Sequence, residues 1–171
     1  MSTGQMALAI VAFMLLGIVT MNFRVMNFQN EDILNSNEYS QKAVAIGRSL
    51  FEEMSQKPFD AAIAAGKRIT KTSDLTACGP GSGEVYPNFN DFDDFHRSVF
   101  VSPATGTTPT STTPKCLWDT WGYTVAVTVQ YVSESNPEQP SNTYTFAKRA
   151  TLRISNEFSA DTVFMSYVTT Y

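Results

Sequence analysis

One histidine, His96, and two cysteines, Cys78 and Cys116, are all the chain holds of the residues most used for metal binding and nucleophilic chemistry. Three such side chains do not complete a four-ligand zinc site at a recognisable spacing. A nucleophile elbow, a phosphate-cradling glycine loop and a zinc-protease signature are all missing, so neither an enzyme nor a small-molecule substrate is expected. Twelve Lys and Arg stand against sixteen Asp and Glu, for a net charge of −4, and nowhere do the basic residues cluster. Phosphate neutralisation needs a basic patch, which excludes nucleic acid as a partner. Charged residues are only 16% and hydrophobic residues 43%, which excludes both a disordered acidic tail and a highly charged coiled coil.

What the sequence does have is one long apolar run. Met6–Phe23, MALAIVAFMLLGIVTMNF, carries no charge, and as a helix it reaches about 27 Å, close to the hydrocarbon thickness of a bilayer. A buried helix of a soluble domain normally shows a polar stripe over this length, and this segment is apolar all round. A secretory signal would need a basic start and a small-x-small cleavage site after the run. The flanks are instead Met-Ser-Thr-Gly-Gln before it and Arg24-Val25-Met26-Asn27 after it, so the segment is expected to be retained.

Helical signals continue past this run. Ile33, Leu34, Ala43, Val44, Gly47, Leu50, Phe51 and Met54 recur at spacings of three, four and seven, with Glu38, Lys42, Arg48 and Glu52 opposite, the pattern of a one-sided helix. Asn30, followed by Glu31 and Asp32, suits a restart, and Pro58 closes the helix. Asparagine side chains compete for backbone hydrogen bonds, so a bend or melted stretch is expected within Asn22–Asn37. A short helix at Asp60–Ala65, stopped by Gly66, follows. The expected organisation is therefore 1–29, an apolar membrane or core helix; 30–66, its amphipathic continuation and the short helix; and 67–171, a β-rich head.

In that head, Trp121–Val132 alternates, with Tyr123, Val125, Val127, Val129 and Tyr131 on one side. Thr143–Ser155 is the next strand, with Tyr144, Phe146, Ala150, Leu152 and Ile154 inward and Arg149, Thr151 and Arg153 outward. Thr162–Tyr171 supplies a third strand and Ser98–Ser102 a fourth. The predicted fold class is α+β, a long helix whose amphipathic half lies on an antiparallel meander. The cysteines lie in Gly/Pro/Thr-rich surroundings that read as surface loops. One disulfide, Cys78–Cys116, is the natural reading; it would stabilise the head by about 3 to 4 kcal/mol and implies an oxidising compartment. Two free thiols are the alternative.

Two further constellations each admit two readings. Asn90, Asp91, Asp93 and Asp94, set among Phe89, Phe92 and Phe95, offer alternating oxygen ligands of the kind calcium takes. They equally suit a turn whose Asp and Asn side chains cap a short helix while the phenylalanines dock on the core. Calcium is the only cofactor that comes into question. The tract Pro103–Pro114, PATGTTPTSTTP, is either a plain exposed loop or an O-glycosylated one at Thr107, Thr108, Thr110, Ser111, Thr112 and Thr113.

Taken together, the start Gly4-Gln5-Met6-Ala7-Leu8, the run Gly47-Arg48-Ser49-Leu50-Phe51-Glu52-Glu53-Met54 followed by Phe59-Asp60, and the acidic Asn90-Asp91-Phe92-Asp93-Asp94-Phe95-His96 resemble type IV pilins and pilin-like subunits. The likeness is close over the first sixty residues and loose after that. It implies a homopolymeric surface filament used as an appendage or for adhesion. The chain would first be anchored in the inner membrane and then packed against copies of itself through Gln5, Met6, Leu8, Ile10, Val11, Phe13, Leu15, Leu16, Ile18 and Phe23. Tyr123, Tyr131, Tyr144, Tyr167 and Tyr171 would be shared between head packing and subunit contacts. A minor pilin or pseudopilin, or a monomeric anchored receptor, are the other roles. Type IV pilins usually carry glutamate at the fifth mature position. With Met1 as the mature start that position is Gln5; with processing between Gly4 and Gln5 it is Ala9. The basic residue that normally precedes the leader glycine is absent.

Overall fold

The computed structural model describes residues 3–104 and 106–171, with the side chains of all of these except Ala9 and residues 28–33. Met1 as a mature start, Ala9 as the fifth position and Ile33 on the helix face lie outside the described residues. The chain divides into two compact units, Met1–Glu38 and Tyr39–Tyr171.

The first unit is helical. It is the greater part of α1, Thr3–Ser55, and Thr3–Asn27 is long and apolar enough to cross a membrane. The asparagine-rich stretch does not melt, and there is no restart at Asn30, because helical structure runs through it. Each asparagine costs at most about 0.7 kcal/mol of helix propensity, and extending an existing helix needs no second nucleus. Thr20, inside the apolar run, turns its hydroxyl back onto the carbonyls of Leu16 and Gly17 at 2.9 and 3.0 Å, so its one polar atom is satisfied within the helix.

The second unit begins with the last turns of α1. The helix stops at Ser55, ahead of Pro58, which excludes helical geometry at Lys57. Asp60 then caps α2, Ala61–Ala64, by accepting from the Ala62 N–H at 3.0 Å, and Gly66 takes the left-handed φ of +81° that ends it. Irregular chain with a 3-10 turn at Asp93–Phe95 leads to four strands, β1 (Val99–Val101), β2 (Tyr123–Tyr131), β3 (Ala147–Asn156) and β4 (Thr162–Thr170). They form one antiparallel sheet in the order β1-β2-β3-β4, the expected meander. Val125 pairs with Ile154 and Val127 with Leu152 across β2 and β3, so the apolar sides of both strands share one face.

That face packs on the apolar stripe of α1. Ala43, Ile46, Leu50, Phe51 and Met54 meet Val125, Val127, Val129, Ala150, Leu152 and Ile154, and Phe89, Phe92, Phe95 and Phe100 close the edge. Each fully buried aliphatic or aromatic side chain contributes about 1.5 to 3 kcal/mol. Gly47 faces the sheet with no room for a side chain: an added Cβ would lie 2.9 Å from the Ile154 Cδ1 and would also meet Met165. Leu34, placed on the inner face by its spacing, is exposed, while Ile46 is buried. The strand expected from Thr143, β3, starts four residues later, at Ala147. Before it, the Ser141 hydroxyl holds a turn through the Thr143 carbonyl at 2.8 Å, and the Phe146 N–H goes to Glu134 Oε1 at 3.0 Å. A side-chain donor and a side-chain acceptor take the place of ladder partners there.

Candidate functional site

The first candidate is the apolar run itself. Met6, Leu8, Ile10, Val11, Phe13, Leu15, Leu16, Ile18 and Phe23 are all exposed, and the large apolar side chains of α1 from Met6 to Met26 range from 52% exposed at Val25 to 74% at Leu8 and Phe13. Among the described residues no face of this segment is covered, and an apolar surface of that size marks a membrane or protein contact. Gly4 lies in the first turn of the helix with open space where a Cβ would be, and Gln5 follows it in the same turn.

The second candidate is a buried charge cluster in the head, and its centre was not anticipated. Lys148 is fully buried on the inner face of β3. Its Nζ donates to Asp60 Oδ2 and to the Phe59 carbonyl, each at 2.9 Å, and to Asp93 Oδ1. It also lies over the rings of Phe59 and Tyr131, at 4.6 and 4.9 Å from their centres, where a cation is attracted to the ring face. Strand alternation places Lys148 inward along with Ala150 and Leu152; a lysine is otherwise an outward residue, and only its parity could have revealed it.

The two carboxylates that face Lys148 differ in their partners. Asp60 accepts from the Ala62 N–H, the Thr76 N–H and hydroxyl, the Tyr131 hydroxyl and Lys148, all between 2.9 and 3.1 Å. Burial pushes its pKa up, but the Lys148 hydrogen bond and charge and the backbone donors outweigh that and hold it below the usual value. Asp93 has one partnered oxygen, and its Oδ2 has no hydrogen-bond partner among the described residues. Burial pushes Asp93 up despite Lys148. Tyr131, buried and facing Asp60 and Asp93, is held well above its ordinary value.

Of the residues weighed for calcium, Asp91, Asp93 and Asp94 are buried and Asn90 is exposed. Asp91 Oδ1 accepts from the N–H groups of Asp93 and Asp94 at 2.9 and 3.2 Å. Asp94 Oδ2 accepts from those of Asn90 and Asp91 at 2.7 and 3.2 Å, and Asn90 donates its amide to Glu84. This is a self-capped turn. Its carboxylates point at their own backbone and at Lys148, and among the described residues no three acidic, sulfur or imidazole side chains converge as metal ligands. Of the two readings, these hydrogen bonds fit the capping turn, and the cation facing Asp93 is the ammonium of Lys148. Burial, then the neighbouring Asp93, push Asp91 up to about 7, and burial also raises Asp94.

The cysteine expectation also changes. Cys78, in an irregular loop, and Cys116, in the 3-10 turn Lys115–Leu117, are unbridged and half-buried against the core. Cys78 feels the charges of Asp93, Lys148 and Asp60, and Cys116 that of Glu53. Burial first, then the nearby carboxylates, push them up to about 12 and about 11. His96 has a structural role, its Nδ1 accepting from the Val129 N–H at 3.1 Å. Of the tyrosines expected to be shared with neighbouring subunits, Tyr123 and Tyr131 are buried in the head, and Tyr144, Tyr167 and Tyr171 are exposed. In the Ser/Thr/Pro tract, Thr107, Thr108, Thr110, Ser111 and Thr112 are exposed and Thr113 is half-buried. The Thr113 carbonyl accepts from the Trp118 indole at 2.8 Å.

No protein-family model, curated protein or solved structure matches this chain.

Proposed function

We propose that this chain is the structural subunit of an extracellular filament of the type IV pilus kind, built from copies of itself and held in the inner membrane before assembly. One observation carries the reading: eighteen consecutive uncharged residues, Met6–Phe23, form a helix that is apolar all round and exposed on every side. In water such a surface is unfavourable by about 25 cal/mol per Å². Lipid can cover it first and identical helices afterwards. The head fits the same role, since its helix stripe and sheet bury each other. Glycans on Thr107, Thr108, Thr110, Ser111, Thr112 or Thr113 would lie on the outside of such a polymer.

Negative-stain imaging of sheared surface material, with the protein identified by mass spectrometry, tests the proposal. Long filaments composed of this chain are the expected result. Filaments in which it is a trace component would assign it to the minor pilins or pseudopilins, and a chain found only as a monomer in the membrane fraction would make it an anchored surface protein.

A further inference from the structure

A buried amine held against a carboxyl group that has an unpartnered oxygen and a second carboxyl beside it is the arrangement of an amide-forming condensation, and the head contains one. Lys148 Nζ, with no solvent exposure, is aimed at Asp93 by the Phe59 carbonyl and Asp60 Oδ2, each 2.9 Å away. Asp93 is equally shut off from water, and its Oδ2 has no donor among the described residues. Asp91, also buried, has its Oδ2 unpartnered, and its carboxyl is within hydrogen-bonding reach of that of Asp93. A hydrogen bond between two carboxyl groups requires one proton. Burial and the Asp93 charge keep that proton on Asp91 to about pH 7.

We propose that Lys148 and Asp93 join through an intramolecular isopeptide bond in the folded head, with Asp91 as the proton donor and acceptor and Asp60 as a positioning residue. The atoms balance without an oxidant or an activated donor. Lys148 passes one proton to the Asp93 carboxylate, giving an amine and a carboxylic acid. The nitrogen lone pair adds to Asp93 Cγ and forms the C–N bond. Asp91 gives its proton to the departing hydroxyl and takes one from the nitrogen as the C–O bond breaks. One water leaves, Asp91 is regenerated, and the amide keeps one N–H, which can donate to Asp60 Oδ2.

Asp60 is not the acyl group, because five donors hold it as an anion and a carboxylate is a poor electrophile. Two effects favour the condensation. Fixing amine and acid in contact is worth effective concentrations on the order of 10⁵ to 10⁸ M, and the product removes a buried ammonium and a buried carboxylate whose desolvation is unfavourable. The bond would tie β3 to the Asp93–Phe95 turn across 55 residues of sequence, in a chain whose cysteines are unbridged.

Tryptic digestion of the reduced, full-length chain purified in detergent tests this. A linked protein yields a branched peptide joining 72–97 to 116–149, lighter than the sum of its parts by one water and resistant to cleavage after Lys148. Fragmentation should place the branch on Asp93. Linear peptides ending at Lys148 as the dominant product would overturn the proposal, and a branch on Asp60 would overturn the choice of Asp93. Lys148→Arg keeps the positive charge and must give only linear peptides. Asp91→Asn, folded by circular dichroism, should lose at least nine-tenths of the branched product; an undiminished yield would remove Asp91 from the mechanism.

Discussion

Lys148 Nζ and Asp60 Oδ2 lie 2.9 Å apart with neither side chain exposed, joining β3 to the cap of the short helix that follows α1. The sequence separates the two residues by 88 positions. Removing one partner of a buried pair leaves the other charge unpaired, which costs about 3 to 5 kcal/mol. Lys148→Met, which also removes any bond to Asp93, is thus expected to lose at least that much stability in urea unfolding of the detergent-solubilised chain, and to regain part of it in acid as Asp60 and Asp93 protonate. An unchanged denaturation midpoint would show that the cluster contributes nothing to stability.

In a head whose Lys148 and Asp93 are not joined, such as Lys148→Arg, Asp91 makes the fold less stable as pH rises. Between 3.8 and about 7 the folded chain holds a proton on Asp91 that the unfolded chain has released. The native state binds more protons in that window, so its stability is fullest at the acid end and is lost as pH climbs through about 7. Asp93 and Asp94, also raised, act in the same direction. Asp60, lowered, acts oppositely and only below 3.8. The denaturant midpoint should fall from the acid to the alkaline end of this range, and Asp91→Asn should flatten the slope.

Both thiols are half-buried, with pKa values of about 12 for Cys78 and about 11 for Cys116. The thiolate is the reactive form. Iodoacetamide at neutral pH should label neither cysteine in the native chain and both after denaturation in urea. Rapid native labelling of either would mean that its site opens without global unfolding.

Gly47 packs against Ile154 and Met165 with no room for a side chain. Gly47→Leu drives a side chain into Ile154 and Met165, and overpacking of this kind costs about 1 to 3 kcal/mol. Thermal melting should register the loss. The same substitution at Gly17, which has open space around it, should leave the melting of the head unchanged.

In the apolar segment, Leu15 stands near the centre of Thr3–Asn27. An aspartate at the middle of a membrane-spanning helix costs about 2.5 to 3.5 kcal/mol of insertion free energy. Leu15→Asp should shift the chain out of the membrane fraction and abolish filaments while the head melts normally. Filaments of normal length from this variant would separate the apolar run from assembly.

Much of the fold was legible in residue spacing. The alternation of Val125, Val127 and Val129 located β2 and its inner face, Pro58 and Gly66 marked helix ends, and the repeat through Leu50, Phe51 and Met54 marked the stripe that packs on the sheet. Competition from local side chains was harder to read. Ser141 and Glu134 delayed the start of β3, and the asparagines of α1 did not interrupt it. Asn90, Asp91, Asp93 and Asp94 offered the right oxygens for a cation, yet where each carboxylate points depends on the turn it closes.

The sequence by itself determined that one end of the chain must find an apolar environment and that the rest folds as a helix stripe on a meander, because both follow from the periodicity of neighbouring residues. Only the tertiary structure decided that Lys148 faces Asp60 and Asp93, that burial raises Asp91, and that Cys78 and Cys116 are half-buried against the core. Those outcomes depend on which distant segments meet where water is excluded. Burial strengthens a charge pair, raises a lone carboxyl and silences a thiol, and no local pattern encodes it.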